Sequence, residues 1–325
     1  MANTKQLRGR VKSIKNTRKI TKAMEMVAAS KMKRIIKRAL ATREYSQTAW
    51  EILTKVTETS EKAHPLLAIR EVRNICLVLI SPNKGLCGSL NTQLIKKVLS
   101  NMENPYDMMI NRTWGRKILP TIDPKKVSID VIAIGKKGAG EMVKGKKNLI
   151  ASFSDLNEQS MLGDLKPIAK IAMEGYVNKK YDKVIIAYTD FISTVVNKPR
   201  LRQVLPISEK DLERQLEELG RGISEKDEMD ELKKEISKRF YTFEPDKKNL
   251  LKILLPKVVE IQIYQAFLES QAAEFSARML TMKNASDTAS DMIYNFTLQY
   301  NQARQAAITS ELAEISAGSV ALEEN

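Results

Sequence analysis

KNTRKITKAMEMVAASKM (15–32) and ARMLTMKNASDTASDMI (277–293) each lie inside a long run that contains neither glycine nor proline: residues 10 to 64 and residues 257 to 317. Globular helices average about 11–12 residues, so breaker-free runs of 55 and 61 residues stand far outside the usual range. At a rise of about 1.5 Å per residue, each makes a rod of roughly 80–90 Å, longer than a compact domain is wide. Such rods bury their apolar sides on each other. The two ends of the chain therefore read as a shaft, and the stretch between them as a separate domain.

The first rod carries Leu7, Val11 and Ile14, then Ile20, Met24 and Val27, then Ile35. Spacings of three and four predict a helix with one buried seam. Beside it, Arg8, Lys12, Lys15, Lys19 and Lys22 repeat at four, three, four, three and form one basic face. The second rod carries Ile261, Phe267, Met279, Met282, Met292, Phe296, Tyr300, Ala303 and Ala307, and ends on Ile308, Leu312, Ile315 and Val320. The net charge of +15 is unevenly distributed: residues 1 to 40 hold thirteen Lys and Arg against Glu25 alone, whereas the last forty hold six acids against Arg304. Residues 209 to 235 are also acidic, with eleven acids and six bases. A basic face of this kind has three readings: a solvated surface, a track for nucleic-acid phosphates, or a contact for acidic partner proteins.

Between the rods the pattern alternates. ICLVLI (75–80), VSIDVIAIG (127–135), NLIASF (148–153), YDKVIIAYTDF (181–191) and RLRQVLPI (200–207) read as strands, the last as an edge before Pro206. Residues 90 to 99 and 162 to 178 read as helices, and strands alternating with helices mean a layered α/β domain. His64-Pro65 ends the first rod, because the residue before proline is pushed out of the α region. The second rod is expected to begin after Pro256, with FYTFEPDK (240–247) as a turn before it.

Chemistry-bearing constellations are few. Cys76 and Cys87 sit in or beside apolar strand patterns and read as buried free thiols of a reducing compartment. The single histidine, His64, stands at a rod end and is a poor candidate for metal or acid–base work. Gly85-Leu86-Cys87-Gly88-Ser89 lies between a strand and a helix, where phosphates often bind. It lacks the G-x-x-x-x-G-K-[ST] spacing and reads as a tight turn. No apolar run reaches the roughly 18 residues that a membrane span needs. The start, MANTKQLRGR, lacks a signal peptide's apolar core and is read as mature cytoplasmic protein.

The two quoted motifs, together with YNQARQAAITSELAEISAG (300–318) and NKGLCGSLN (83–91), resemble the gamma-subunit family of the rotary ATP synthase over nearly the whole chain. Asn83 and Lys84 depart from the Asp-Arg pair usual in that family. The segments 104–126 and 208–238 look like inserts, and the second holds no cysteine for a thiol switch. The resemblance implies an α/β fold class: a long antiparallel coiled coil of N- and C-terminal helices plus a central Rossmann-like α/β domain. Its expected parts are 1–64 for the first helix, 70–207 for the α/β domain, 208–248 for a charged insert and turn, and 250–325 for the second helix.

It also implies a non-catalytic rotor, with no cofactor and no metal, that couples rotation of a membrane c-ring to nucleotide sites on alpha and beta subunits. The partners are alpha and beta, at one copy per three of each, the epsilon subunit and the c-ring, with no nucleic acid. The implied location is peripheral, on the cytoplasmic face of a bacterial cell membrane. Carried over by motif, Lys22, Met24, Arg304, Gln305 and Thr309 are the beta-subunit contacts. Ile308, Leu312, Ile315 and Val320 form an apolar bearing tip, and Tyr241, Phe243 and Glu244 face the c-ring and epsilon. The competing reading is a basic coiled-coil protein that binds nucleic acid, with an α/β module attached.

Overall fold

The computed structural model describes residues 4–57, 64–113, 116–207 and 247–323. Helix α1 (Thr4–Thr57) opens the chain, and His64 then caps a short 3-10 turn, Pro65–Leu67, accepting from the Leu66 amide through Nδ1 at 3.2 Å. Five strands follow in one sheet, β1 (Asn74–Ile80), β4 (Ser128–Ile134), β5 (Asn148–Phe153), β6 (Lys183–Phe191) and β7 (Asn197–Leu205), all close to the sequence reading. Between them run α2 (Leu90–Glu103), α3 (Tyr106–Met109), α4 (Lys136–Lys144) and α5 (Leu162–Val177). The last element, α6 (Lys247–Glu323), is 77 residues long and passes through Pro256 instead of starting behind it. Proline removes one backbone bond from a helix, but the turns on both sides of Pro256 are anchored by the buried Leu251, Leu255 and Val259.

The sheet order is β5-β4-β1-β6-β7. β1 lies parallel to β4, from Asn74 opposite Ser128 to Ile80 opposite Ile134, and parallel to β6 on its other side. β7 returns antiparallel to β6. Central β1 is buried on both faces from Ile75 to Ile80, which is why it reads as a continuous apolar run. Leu77, Leu79, Val131 and Ile185 meet Leu94 and Val98 of α2 and Met142 of α4. Segment 104–126 is built into this layer: Met108 and Met109 join the same core, and a hairpin of β2 (Asn111–Thr113) and β3 (Arg116–Ile118) follows. Buried Lys183 donates to the Ile110 carbonyl at 2.5 Å, and Asn111 donates to that of Arg70 at 3.0 Å.

The chain forms two compact units, one of Met1–Ala29 with Arg278–Asn325, the other of Ser30–Ala277. In the first, α1 and α6 run antiparallel: Arg18 donates to Ser290 at 3.3 Å, and Arg10 lies 5.9 Å over the Phe296 ring. Their seam keeps the 3.5-residue repeat of a left-handed coiled coil. On α1 it runs Leu7, Val11, Ile14, Arg18, Thr21, Glu25, Ala28, with Leu7 and Ala28 buried. On α6 it runs Met282, Ser286, Ala289, Ile293, Phe296, Tyr300, Ala303.

This corrects the apolar stripe read from sequence. Ile20 is 60% and Val27 55% exposed, and on α6 Met292 and Ala307 also point outward. In the second unit α6 is enclosed on all sides from Ile261 to Leu268, which are buried without exception.

Candidate functional site

Two places deserve a chemical reading: the carboxyl ends of the parallel strands, and the outer surface of the helix pair. In an open α/β sheet, ligands sit where the strand order reverses, with phosphates on helix N-termini. Here that reversal lies at β1, between β4 and β6. The glycine-rich turn after β1 places Cys87 and Leu90 against Ala273 and Ala277 of α6, with Phe191 beside them. Ser276 donates to the Thr194 carbonyl at 2.6 Å, fixing the helix over the β6–β7 loop. A helix of the same chain therefore fills the crevice.

The amides of α4 are engaged as well. Lys136 N–H donates to Asn83 Oδ1 at 2.9 Å, Lys137 N–H to the Pro82 carbonyl at 3.2 Å, and Gly138 N–H to Ser81 Oγ at 2.8 Å. Gly135 at φ +91° and Gly138 permit this approach: a Cβ on Gly135 would stand 1.9 Å from the Ser81 oxygen, and one on Gly138 2.7 Å from its Oγ. Asn83 also donates to the Ser154 and Leu156 carbonyls, both at 3.0 Å. A carboxylate has no hydrogen to give those carbonyls, so this lock depends on the amide of Asn83. At α5, Asp164 accepts from the Met161 amide at 2.8 Å, placing a negative charge where an anion would have to bind.

Cys76 and Cys87 are both buried thiols, and burial pushes that of Cys76 up to about 12. His64 is held below its usual value by burial and then by Lys252. Among the described residues, no cluster of His, Cys, Asp and Glu is arranged to hold a metal ion, and no helix is long and apolar enough to cross a membrane.

The helix pair offers the opposite surface. Arg8, Lys12, Lys15, Lys19 and Lys22 are all exposed, with Lys22 paired to Glu25 at 3.0 Å. Met24 is half-buried, while its neighbours Met26 and Val27 are exposed. Apolar spacing alone puts Val27 in the seam and gives no sign of Met26; the 3.5-residue repeat through Thr21, Glu25 and Ala28 is the signal that sets both outside.

Past Ala303, every described side chain of α6 from Arg304 to Ser316 is exposed. Arg304, Gln305, Ile308, Thr309, Leu312 and Ile315 share one face about 140° wide at 100° per residue. Leu312 and Ile315 on that face are 62% and 64% exposed. Thr309 Oγ1 donates back to the Gln305 carbonyl at 3.0 Å. Val320 lies in α6 with its side chain outside the described residues, and Tyr241, Phe243 and Glu244 lie outside them altogether.

A protein-family model described as ATP synthase matches residues 3–322. The ATP synthase gamma chain of Herpetosiphon aurantiacus is 37% identical over 331 residues, covering 99% of both chains. That of Roseiflexus castenholzii is 35% identical over 329 residues, covering both chains completely. This chain belongs to the ATP synthase gamma-chain family. Among solved structures, a rotor chain of the Euglena gracilis mitochondrial ATP synthase shares the fold at TM-score 0.57 and 18% identity, covering 94% of this chain and 98% of that one. For a gamma chain, the filled crevice and the bare outer helix faces have complementary meanings. The fold's ligand position is occupied by its own helix, and its unoccupied surface lies on the shaft.

Proposed function

We propose that this chain is the rotating central shaft of a proton-driven ATP synthase, a non-catalytic subunit that links a membrane c-ring to nucleotide sites on alpha and beta subunits. The observation that carries this reading is the last part of α6. From Arg304 to Ser316 a helix with an apolar face is exposed along its whole length among the described residues. Isolated helices are marginal in water, so this one needs a sheath. Apolar contact is non-directional, which suits a tip that must turn inside its sheath without locking in one orientation.

On this reading Arg304, Gln305 and Thr309 catch a loop of a beta subunit, and Ile308, Leu312, Ile315 and Val320 are the bearing. Lys22, Met24 and the exposed lysines around them face an acidic segment of beta. Tyr241, Phe243 and Glu244 meet the c-ring and epsilon. The filled crevice and engaged helix termini support the assignment of catalysis to other subunits. The complex is placed on the cytoplasmic face of a bacterial membrane, with this chain peripheral.

The test is ATP hydrolysis by purified alpha and beta subunits with and without this chain. Strong stimulation, with co-elution at one copy per three beta subunits, is the expected result. A folded chain that neither stimulates nor co-elutes, and that binds DNA in a salt-sensitive way instead, would replace the shaft with the nucleic-acid reading.

A further inference from the structure

Within the unit Ser30–Ala277, both long helices are held to the α/β layer by polar contacts as well as apolar ones. On α1, Arg38 spreads its guanidinium over three acceptors: the Glu158 carbonyl at 2.5 Å, the Ser160 carbonyl at 2.6 Å and Tyr264 Oη at 3.0 Å. One turn-pair earlier, Lys31 is bonded to the Glu158 carboxylate and lies 5.5 Å over the Phe275 ring. The loop between β5 and α5 is thus fastened to α1, and Tyr264 brings α6 into the same knot.

On α6, Glu269 faces Arg202 of β7 at 3.6 Å, both side chains only 13% exposed. Arg202 stacks 4.9 Å from the Tyr188 ring of β6 and donates to its hydroxyl. Gln265 adds a bond to Glu269 at 3.3 Å, and Arg200 pairs with Asp190 at 2.9 Å on the same two strands. Burial pushes the Glu269 carboxyl up, and Arg202 pulls it back.

Such groups are a costly way to hold a helix to a sheet. A buried ion pair is frequently no more stabilising than well-packed hydrophobic residues of the same volume. Its distinguishing property is direction: a fork of hydrogen bonds fixes one orientation, whereas apolar contact resists separation but not sliding. A shaft under twist needs the first property where it joins the body that turns it.

We propose that these two clamps, Lys31 and Arg38 on the 158–160 loop and Arg202 on Glu269 and Tyr188, are the torque couplings that carry rotation of the α/β layer into the helix pair. This rests on the shaft reading above. The residues act by position, and none belongs to the surfaces assigned to beta or the c-ring.

The experiment uses the complete complex in lipid vesicles and measures ATP hydrolysis and ATP-driven proton uptake on the same sample. The variants are Arg38→Met, Arg202→Met and the two together, with Arg38→Lys and Arg202→Lys as conservative controls. Each Met variant is expected to hydrolyse ATP within about twofold of wild type while proton uptake per ATP falls about threefold. The double variant is expected to lose about tenfold, and Arg202→Lys to keep most of the coupling because the charge pair survives. Arg38→Lys is expected to fall between, since an ammonium lacks the planar fork. An unchanged uptake-to-hydrolysis ratio would overturn the proposal even if the variants melt at lower temperature, because a purely structural role moves stability and not the ratio. If the double variant fails to assemble, the single variants decide. A wild-type chain that does not stimulate hydrolysis removes the shaft reading itself, an outcome distinct from a coupled double variant.

Discussion

Within the unit of Met1–Ala29 and Arg278–Asn325, α1 and α6 meet along a seam that is half apolar, with Arg18, Thr21 and Glu25 on one helix and Ser286 on the other among its positions, and leave their outer faces exposed. Within Ser30–Ala277 the same two helices are ion-paired and hydrogen-bonded to the α/β layer, and α6 is enclosed from Ile261 to Leu268. The comparison separates two tasks that one pair of helices performs. Where partners are to be met, the chain keeps a narrow seam and spends its apolar residues outward. Where the helices must hold to a body, it buries the middle of α6 from Ile261 to Leu268 and adds direction with charges.

The largest break in this comparison is expected from the enclosed unit's tightest approach. Gly135→Val sets a branched side chain at φ +91°, with its Cβ 1.9 Å from the Ser81 oxygen. Strain and overpacking together cost more than about 4 kcal/mol, and the measured outcome is loss of the cooperative thermal transition. Next comes Leu268→Ala, which empties a fully buried site on α6; a loss of about 2–5 kcal/mol in denaturant unfolding is expected. In the bare unit the contrast is positional. Ala28→Gln, in the seam at 1% exposure, is expected to lower stability by about 1–3 kcal/mol. Val27→Gln next to it, at 55% exposure, should stay within about 0.5 kcal/mol. Equal losses for the two would mean that the seam does not run where the 3.5-residue repeat puts it.

Arg304→Ala is expected to leave stability within about 0.5 kcal/mol while lowering ATP turnover of the assembly; unchanged turnover would remove the catch role. The smallest effect is in pH. Burial raises the Glu158 carboxyl, but the hydrogen bond from Lys31, a backbone hydrogen bond and the charges of Lys31 and Arg34 together outweigh it and hold the group below its ordinary value. A carboxyl lowered in the folded state contributes stability above its unfolded pKa and loses it as pH falls through the folded one. Glu158→Gln should therefore flatten the loss of stability on acidification below about pH 4.5 relative to wild type, as read by melts across that range.

The central strands were legible because a parallel sheet buried on both faces demands continuous apolar runs, as at 75–80 and 184–188, whereas the edge strand 148–153 alternates exposed and half-buried positions. The long helices were legible because no glycine or proline falls between residues 10 and 57 or between 257 and 317. The seam of α1 was not. Ile20 and Val27 are as apolar as any core residue, and hydrophobicity alone does not say whether a helix face meets its own chain or another. Thr21 and Glu25 are half-buried and Ala28 is buried in the seam although two of the three are polar, a fact that belongs to the pairing and to neither helix alone. The clamps were equally hidden: Arg202 and Glu269 stand 67 positions apart in amphipathic-looking sequence and are paired only by the fold.

By itself, then, the sequence determined which segments are helix and which are strand, because propensity and periodicity are local. It also determined the family, through long motifs kept in order. The tertiary structure alone decided which face of each helix is inside, that the sheet's ligand crevice is filled by α6, and which charges are paired. Those outcomes depend on what lies across a packing interface, and a partner distant in sequence leaves no periodic trace in either segment.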